Sequence, residues 1–157
     1  MEETRINPSE KLVLIVDDDE TVLEFLKFAV EREGFRTVLA ADGDEALSQV
    51  KTVSPDLIIL DMMLPKKGGF EVIKALQTHE HSRIPILVIT GRFVDDNFKK
   101  MVQFESNVKE YIIKPVKPPF LLYKIHSLLG TQSSDHKSIE EKKKIIEERL
   151  KPGSGFY

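Results

Sequence analysis

The 157-residue chain contains no cysteine. Disulfides, thiolate metal sites and cysteine nucleophiles are therefore excluded, and a reducing compartment costs the protein nothing. Long apolar runs are missing too. The longest, Leu12 to Val16 and Leu57 to Leu60, fall far short of the ~20 residues that cross a bilayer. The opening MEETRINPSEK has no apolar stretch and does not read as a signal peptide. Nor is there a basic excess: 23 Lys and Arg stand against 26 Asp and Glu, a formal net charge of -3. Residues 131–157, with six basic and five acidic groups, do not form a basic arm. These absences predict a cytoplasmic protein with no membrane association and no direct nucleic-acid contact.

What is present is a globular composition, 41% apolar and 31% charged, on a length suited to one domain. Residues 1–10 are polar and read as a flexible lead-in. Leu12 to Val16 is a β-branched run with no polar alternation, the pattern of a strand covered on both faces. From Thr21 to Glu33 the period becomes helical, with Val22, Phe25, Leu26, Ala29 and Val30 on one stripe and Gly34 as C-cap. The alternation then repeats. Strands are predicted at Phe35–Ala41, Asp56–Leu60, Ile86–Ile89 and Tyr111–Ile113. Helices are predicted at Asp44–Thr52, Phe70–Gln77, Asp95 to about Phe104, and Pro118–Leu129, the last ended by Gly130. Five strands alternating with five helices define a doubly wound α/β domain over residues 11–130. Residues 131–157 read as a linker to Ser138, a short charged helix from Ile139 to Leu150, and a flexible end, GSGFY.

In an open parallel sheet, ligands bind beyond the carboxyl ends of the strands. The first strand ends in Asp17-Asp18, the third in Asp61, the fourth in Thr90 and the fifth in Lys114. Carboxylates gathered without a cation repel one another, and a hard divalent ion such as Mg²⁺ resolves the conflict with oxygen ligands. The chemistry this set permits is phosphoryl transfer. One carboxylate attacks phosphorus, a lysine offsets charge on the transferring oxygens, and a hydroxyl reports the phosphoryl group's arrival.

Val16-Asp17-Asp18, Asp61 followed by Met62-Met63-Leu64-Pro65, Thr90, and Tyr111-Ile112-Ile113-Lys114-Pro115 together resemble the receiver domain of two-component response regulators, the CheY-like family. The resemblance spans residues 11–130. It implies a flavodoxin-like, three-layer α/β/α fold with strand order 2-1-3-4-5. It implies that Asp61 is the phosphoacceptor, taking phosphate from a sensor histidine kinase or a histidine phosphotransfer protein. It makes Asp17, Asp18, Asp61 and the Met63 backbone carbonyl the ligands of Mg²⁺, with Mn²⁺ as an alternative. Lys114 pairs with Asp61 or its phosphate across a cis Lys114-Pro115 bond, Thr90 is the switch hydroxyl and Tyr111 the switch aromatic. Phosphorylation then remodels the face of the fourth helix, fifth strand and fifth helix for an effector or for homodimerisation. Such a domain is not an enzyme on outside substrates; it catalyses only its own phosphorylation and dephosphorylation.

Several positions depart from the family pattern. Gly91 follows Thr90 and should open the phosphate to water. Gly68 stands where an aspartate would cap the third helix. Asn107 replaces a frequent glycine and is expected to take its left-handed backbone. The stretch from Thr90 to Lys114 is a residue or two long, placed in GRFVDDN. Phe93, Val94, Phe98, Met101, Val102 and Phe104 make the fourth helix and its lead-in apolar, for packing or for docking. His79, His81 and His126 are expected at the surface, and His136 in the linker. Lys66-Lys67 reads as solvated charge beside the active edge. Two other functions fit parts of the pattern. Asp17-Asp18-Asp19-Glu20-Thr21 matches the nucleophile motif of haloacid dehalogenase-type phosphohydrolases, which would leave Asp61 without a role. A receiver that binds partners without being phosphorylated is the other.

Overall fold

The structure, a computed structural model, describes residues 5–78, 80–91 and 95–151, with only the backbone of 134–140. His79, residues 92–94 of GRFVDDN with Phe93 and Val94, and the GSGFY end lie outside the described residues. The elements are a 3₁₀ turn (Pro8–Glu10), β1 (Leu12–Val16), α1 (Glu20–Arg32), β2 (Arg36–Ala40), α2 (Gly43–Val53) and β3 (Leu57–Leu60). They continue with α3 (Gly69–Ala75), β4 (Ile86–Thr90), α4 (Asp96–Phe104), β5 (Val108–Ile113), α5 (Pro118–Leu129) and α6 (Ser134–Leu150).

The sheet is wholly parallel with order β2-β1-β3-β4-β5, as the resemblance implied. Every residue of β1, β3 and β4 is buried, because helices cover both faces and leave these strands no solvent side. Alternate residues go to opposite faces. Leu14, Val16, Ile58, Leu60, Ile86 and Val88 pack with α2, α3 and α4. Val13, Ile15, Leu57, Ile59, Leu87 and Ile89 pack with α1 and α5. Each fully buried aliphatic contributes roughly 1.5–3 kcal/mol relative to exposure.

The edges differ from the expected bounds. β5 starts three residues earlier than predicted, since Val108, Lys109 and Glu110 lie on an edge strand where polar residues tolerate pairing on one side. Phe35 lies outside β2 and is buried against the His126 ring, centroids 5.0 Å apart. In α4, Phe98 and Val102 turn toward the core while Met101 and Phe104 face solvent. α6 begins at Ser134, so His136 and much of the expected linker are helical; Ser and Asp at 134 and 135 suit a helix start. Among the described residues, no helix is long and apolar enough to cross a membrane.

Three expectations need correction. Asn107 does not take a left-handed backbone. It is buried, and its side-chain oxygen accepts a hydrogen bond from Gln77 Nε2 at 2.7 Å, tying β5 to the end of α3. His126 is not at the surface but 6% exposed. Its Nδ1 lies 2.7 Å from Thr131 Oγ1 and its Nε2 3.0 Å from Glu33 Oε2. The left-handed C-cap at Gly130 folds Thr131 back onto the ring, and Glu33, the C-cap of α1, is 93 residues away in sequence. His81 is likewise partly buried, with its Nε2 3.9 Å from Glu80.

Truncating Ile58, fully buried at the centre of the sheet, tests the packing. Ile58→Ala is expected to cost about 2–5 kcal/mol, read by urea unfolding with an unchanged m-value. A loss confined to a few tenths of that would contradict the packing described.

Candidate phosphoacceptor site

Asp17, Asp18, Asp61 and Lys114 lie just beyond the carboxyl ends of β1, β3 and β5, and Thr90 is the last residue of β4; short of Thr90, β1, β3 and β4 are filled with aliphatic residues. The chain can accommodate a charge only where the sheet ends. β1 delivers Asp17 and Asp18, and β3, paired to it through Val16 and Leu60, delivers Asp61. The carboxylate oxygens of Asp17, Asp18 and Asp61 lie within 4.8 Å of one another. Asp17 and Asp61 are buried, at 2% and 6% exposure, and Asp18 faces solvent. The sequence-predicted carboxylates thus converge.

Lys114 closes the cluster from β5, on the far side of β4. Its Nζ donates to Asp17 Oδ2 at 2.7 Å and to Asp61 Oδ2 at 3.3 Å. The shorter of these contacts is with Asp17, which the sequence did not single out as a lysine partner. The Lys114-Pro115 peptide is cis, and Lys114 N–H donates to the Thr90 carbonyl at 2.8 Å, linking the two strand ends. The remaining acceptors are served locally. Asp17 Oδ1 accepts from Asp19 N–H at 2.9 Å, and Asp61 Oδ1 accepts from Met63 N–H at 3.1 Å. The second bond shapes the turn that carries Met63.

The electrostatics follow from this burial. Desolvation raises the Asp61 carboxyl above its ordinary value and the Asp17 charge adds to the rise, while the Met63 N–H and Lys114 oppose it. Burial pulls the Lys114 ammonium down, yet the Asp17 hydrogen bond and the charges of Asp61 and Asp17 outweigh this and leave it raised. One ammonium therefore faces three carboxylates. All the donors are hard oxygens, and a divalent cation fits this set better than any softer metal. Among the described residues this is the one group of three such ligands. The cleft over it, about 640 Å³, is lined by Asp17, Asp18, Asp61, Met62, Gly91 and Lys114. It is wide enough for a phosphoryl group. A Cβ on Gly91 would reach Lys114 Cδ at 3.6 Å, so a side chain there would narrow the mouth.

Thr90 and Tyr111 stand behind the cluster. Thr90 is fully buried, and among the described residues neither its Oγ1 nor the buried Tyr111 hydroxyl has a hydrogen-bond partner. Burial raises the Tyr111 phenol, and Lys99 Nζ lies 5.4 Å from the ring centroid. An orphaned buried hydroxyl costs about 1–3 kcal/mol, which favours a polar group arriving beside it. At α3 the expected weak cap is found, with Gly68 as N-cap and no side-chain bond. Sequence reasoning missed the role of Lys66-Lys67. Lys66 Nζ is 3.3 Å from Asp42 and Lys67 Nζ 3.7 Å from Asp44, so both are paired with the start of α2. Only the acidic residues at 42 and 44 hinted at this, and they also read as helix-start residues.

The chain is also similar to known proteins. The family profile described as "Response regulator receiver domain" matches residues 13–126. The alkaline phosphatase synthesis transcriptional regulatory protein PhoP of Bacillus subtilis is 36% identical over 141 residues, covering 87% of this chain and 58% of that protein. The DNA-binding response regulator MtrA of Mycobacterium tuberculosis is 36% identical over 117 residues, covering 74% of this chain and 50% of that protein. The chain spans about half the length of the curated relatives it matches. Among solved structures, a CheY-like response regulator receiver domain protein from Methanospirillum hungatei superposes with TM-score 0.69 at 30% identity, covering 76% of this chain and 94% of that one. A chemotaxis response regulator of Vibrio cholerae superposes with TM-score 0.68 at 28% identity, covering 75% and 98%.

The raised Asp61 carboxyl makes a signed prediction. Between its ordinary and its raised value the folded chain holds a proton that the unfolded chain has lost, so stability falls as pH rises through that window. Asp61→Asn removes the penalty. Without divalent cation the variant is expected to melt at higher temperature than wild type at neutral pH, with the gain vanishing below the ordinary carboxylate range. Thermal melts from about pH 3 to about pH 8 check this, and a variant less stable at neutral pH contradicts the assignment of buried charge.

Proposed function

The chain belongs to the response regulator receiver domain family, and on that premise we propose that Asp61 accepts a phosphoryl group from a histidine kinase or a histidine phosphotransfer protein. Phosphoryl acceptance is the general function of this family of signalling domains. The observation that carries the assignment to Asp61 is its position. It is a buried carboxylate at the end of a central strand, 3.3 Å from Lys114 and clustered with Asp17 and Asp18.

In the proposed step an Asp61 carboxylate oxygen attacks the phosphorus of a phosphohistidine. The O–P bond forms, the P–N bond breaks, and the imidazole leaves with the bonding pair. Lys114, already raised and fully charged, moves its hydrogen bond from the Asp61 carboxylate to a phosphoryl oxygen and offsets the added charge. Mg²⁺, or Mn²⁺, would be held by Asp17, Asp18, Asp61 and the Met63 carbonyl, and supplies the positive charge this crowd of oxygens needs. Thr90 then donates its unpartnered hydroxyl to a phosphoryl oxygen. Tyr111, the next buried and unpartnered hydroxyl, adjusts behind it, carrying the change to the face of α4, β5 and α5. In a separate step water attacks the phosphorus, the P–O bond to Asp61 breaks, the carboxylate leaves with the bonding pair and inorganic phosphate is released; the open flank at Gly91 favours this hydrolysis. Residues 11–130 form the receiver unit, and residues 131–157 an appended segment. The remodelled face binds an effector or a second copy.

Incubation with Mg²⁺ and acetyl phosphate, followed by mass spectrometry of the acyl phosphate, tests the proposal. The label is expected on Asp61 and absent in Asp61→Asn. Lys114→Gln is expected to reduce the phosphorylation rate by about 10²–10³-fold, as loss of one transition-state charge partner does. A label on Asp17 would support the phosphohydrolase reading instead, and no label from any donor would support a receiver that only binds partners.

A further inference from the structure

The segment 61–68 between β3 and α3 carries both the Asp61 backbone and the Met63 carbonyl, and it is clamped at two glycines. At its far end Gly69 lies against its start. A Cβ there would come within 2.6 Å of the Asp61 carbonyl oxygen and of Met62 Cα, and the Gly69 N–H donates to the Met62 carbonyl at 3.1 Å. The second clamp comes from α2, an element with no side chain in the acidic cluster. A Cβ on Gly43 would collide with the Lys67 carbonyl oxygen, and would lie 2.6 Å from Lys67 Cβ and 2.9 Å from the Lys67 carbonyl carbon. The Gly43 backbone has no positive φ. Glycine is therefore needed there for space, not for conformation. Its N–H points at the Pro65 carbonyl at 3.5 Å.

The start of α2 is itself rigid. Asp42 caps the helix by accepting from Glu45 N–H at 2.7 Å, and Glu45 Oε2 accepts from Ala41 N–H, just before the cap, at 3.1 Å. The loop grips this platform by charge as well, through Lys66–Asp42 and Lys67–Asp44. Lys66 holds a left-handed backbone, φ +65°, a conformation a non-glycine residue keeps only where its surroundings impose it.

We propose that Gly43 is a positioning residue for the acceptor site. By letting the Lys66-Lys67 backbone rest directly on the first turn of α2, it sets where the Asp61–Met63 turn lies relative to Asp17 and Asp18, and so sets divalent-cation affinity. The inference rests on the function proposed above, since Met63 matters only if the cluster binds a cation.

The test compares the full chain with Gly43→Ala and with Gly68→Ala. Gly68 belongs to the same loop, has φ -64°, and would place a Cβ in open space. Two quantities are read: Mg²⁺ affinity by calorimetric titration, and amide hydrogen exchange of residues 61–68 without metal. Gly43→Ala is expected to weaken Mg²⁺ binding by about tenfold, the scale of outer-shell ligand positioning, and to speed exchange in 61–68. Gly68→Ala replaces the N-cap of α3, so it is compared on Mg²⁺ affinity alone and is expected to leave that at the wild-type value. A packing role alone would lower the melting temperature and leave Mg²⁺ affinity at the wild-type value, which would overturn the proposal. A wild-type chain that binds no divalent cation would overturn the functional reading and this inference with it. Should Gly43→Ala not fold, Asp42→Asn and Lys66→Asn cut the ion pair while keeping a capping side chain and a residue tolerant of left-handed backbone. Each is then expected to weaken Mg²⁺ about two- to threefold, and the double variant no more than the larger single, as for groups acting through one contact. Wild-type affinity in both singles overturns the proposal.

Discussion

Two carboxylates that are almost wholly buried, Asp17 and Asp61, share one ammonium, that of Lys114. Charge of this kind is costly to bury, and it persists only where the geometry compensates it closely. The compensation here is partial. Lys114 answers for one negative charge, and Asp61 remains raised above its ordinary value by desolvation and by Asp17. The site is therefore left electrostatically unsatisfied in a way that favours the arrival of a divalent cation, and the rest of the sheet edge is organised around that imbalance.

The parallel topology makes such an edge attainable. In the order β2-β1-β3-β4-β5, the strands bearing Asp17 and Asp61 are hydrogen-bonded neighbours, and Thr90 follows on the next strand. Short of Thr90 at the end of β4, all three strands carry only aliphatic residues on both faces, so the polar groups have no other exit than the strand ends. β5 then brings Lys114 across the end of β4, held by its backbone bond to Thr90. That bond links the residue that contacts Asp61 to the strand end that carries the buried hydroxyl. Thr90 and Tyr111 keep buried hydroxyls that have no hydrogen-bond partner among the described residues.

Much of this was legible in one dimension. Apolar runs such as Leu12 to Val16 and Leu57 to Leu60 announce strands covered on both sides, and each is followed at once by the aspartates that matter. The period change after Glu20 and the Gly130 stop mark α1 and the end of α5. Edges were less legible. β5 was expected at Tyr111–Ile113, because Lys109 and Glu110 look like loop residues until one sees that an edge strand leaves one side free. His126 and Asn107 were misjudged for a related reason. His126 bonds Glu33 and Thr131, and Asn107 bonds Gln77. Nothing local in the sequence distinguishes a polar residue that has a buried partner from one that is solvated.

By itself the sequence determined which chemistry is available: oxygen ligands without thiols, a carboxylate at the end of β3, a hydroxyl and a lysine at the next strand ends. These are matters of residue type and of position relative to short periodic elements, and both are local. Only the tertiary structure decided who pairs with whom. It placed Lys114 nearer Asp17 than Asp61, seated Lys66 and Lys67 on the first turn of α2, and buried His126 under the exit of α5. Such pairings depend on the register of strands and on the close approach of Gly43 and Gly69 to the loop. They are set by packing between segments distant in sequence, which periodicity does not encode.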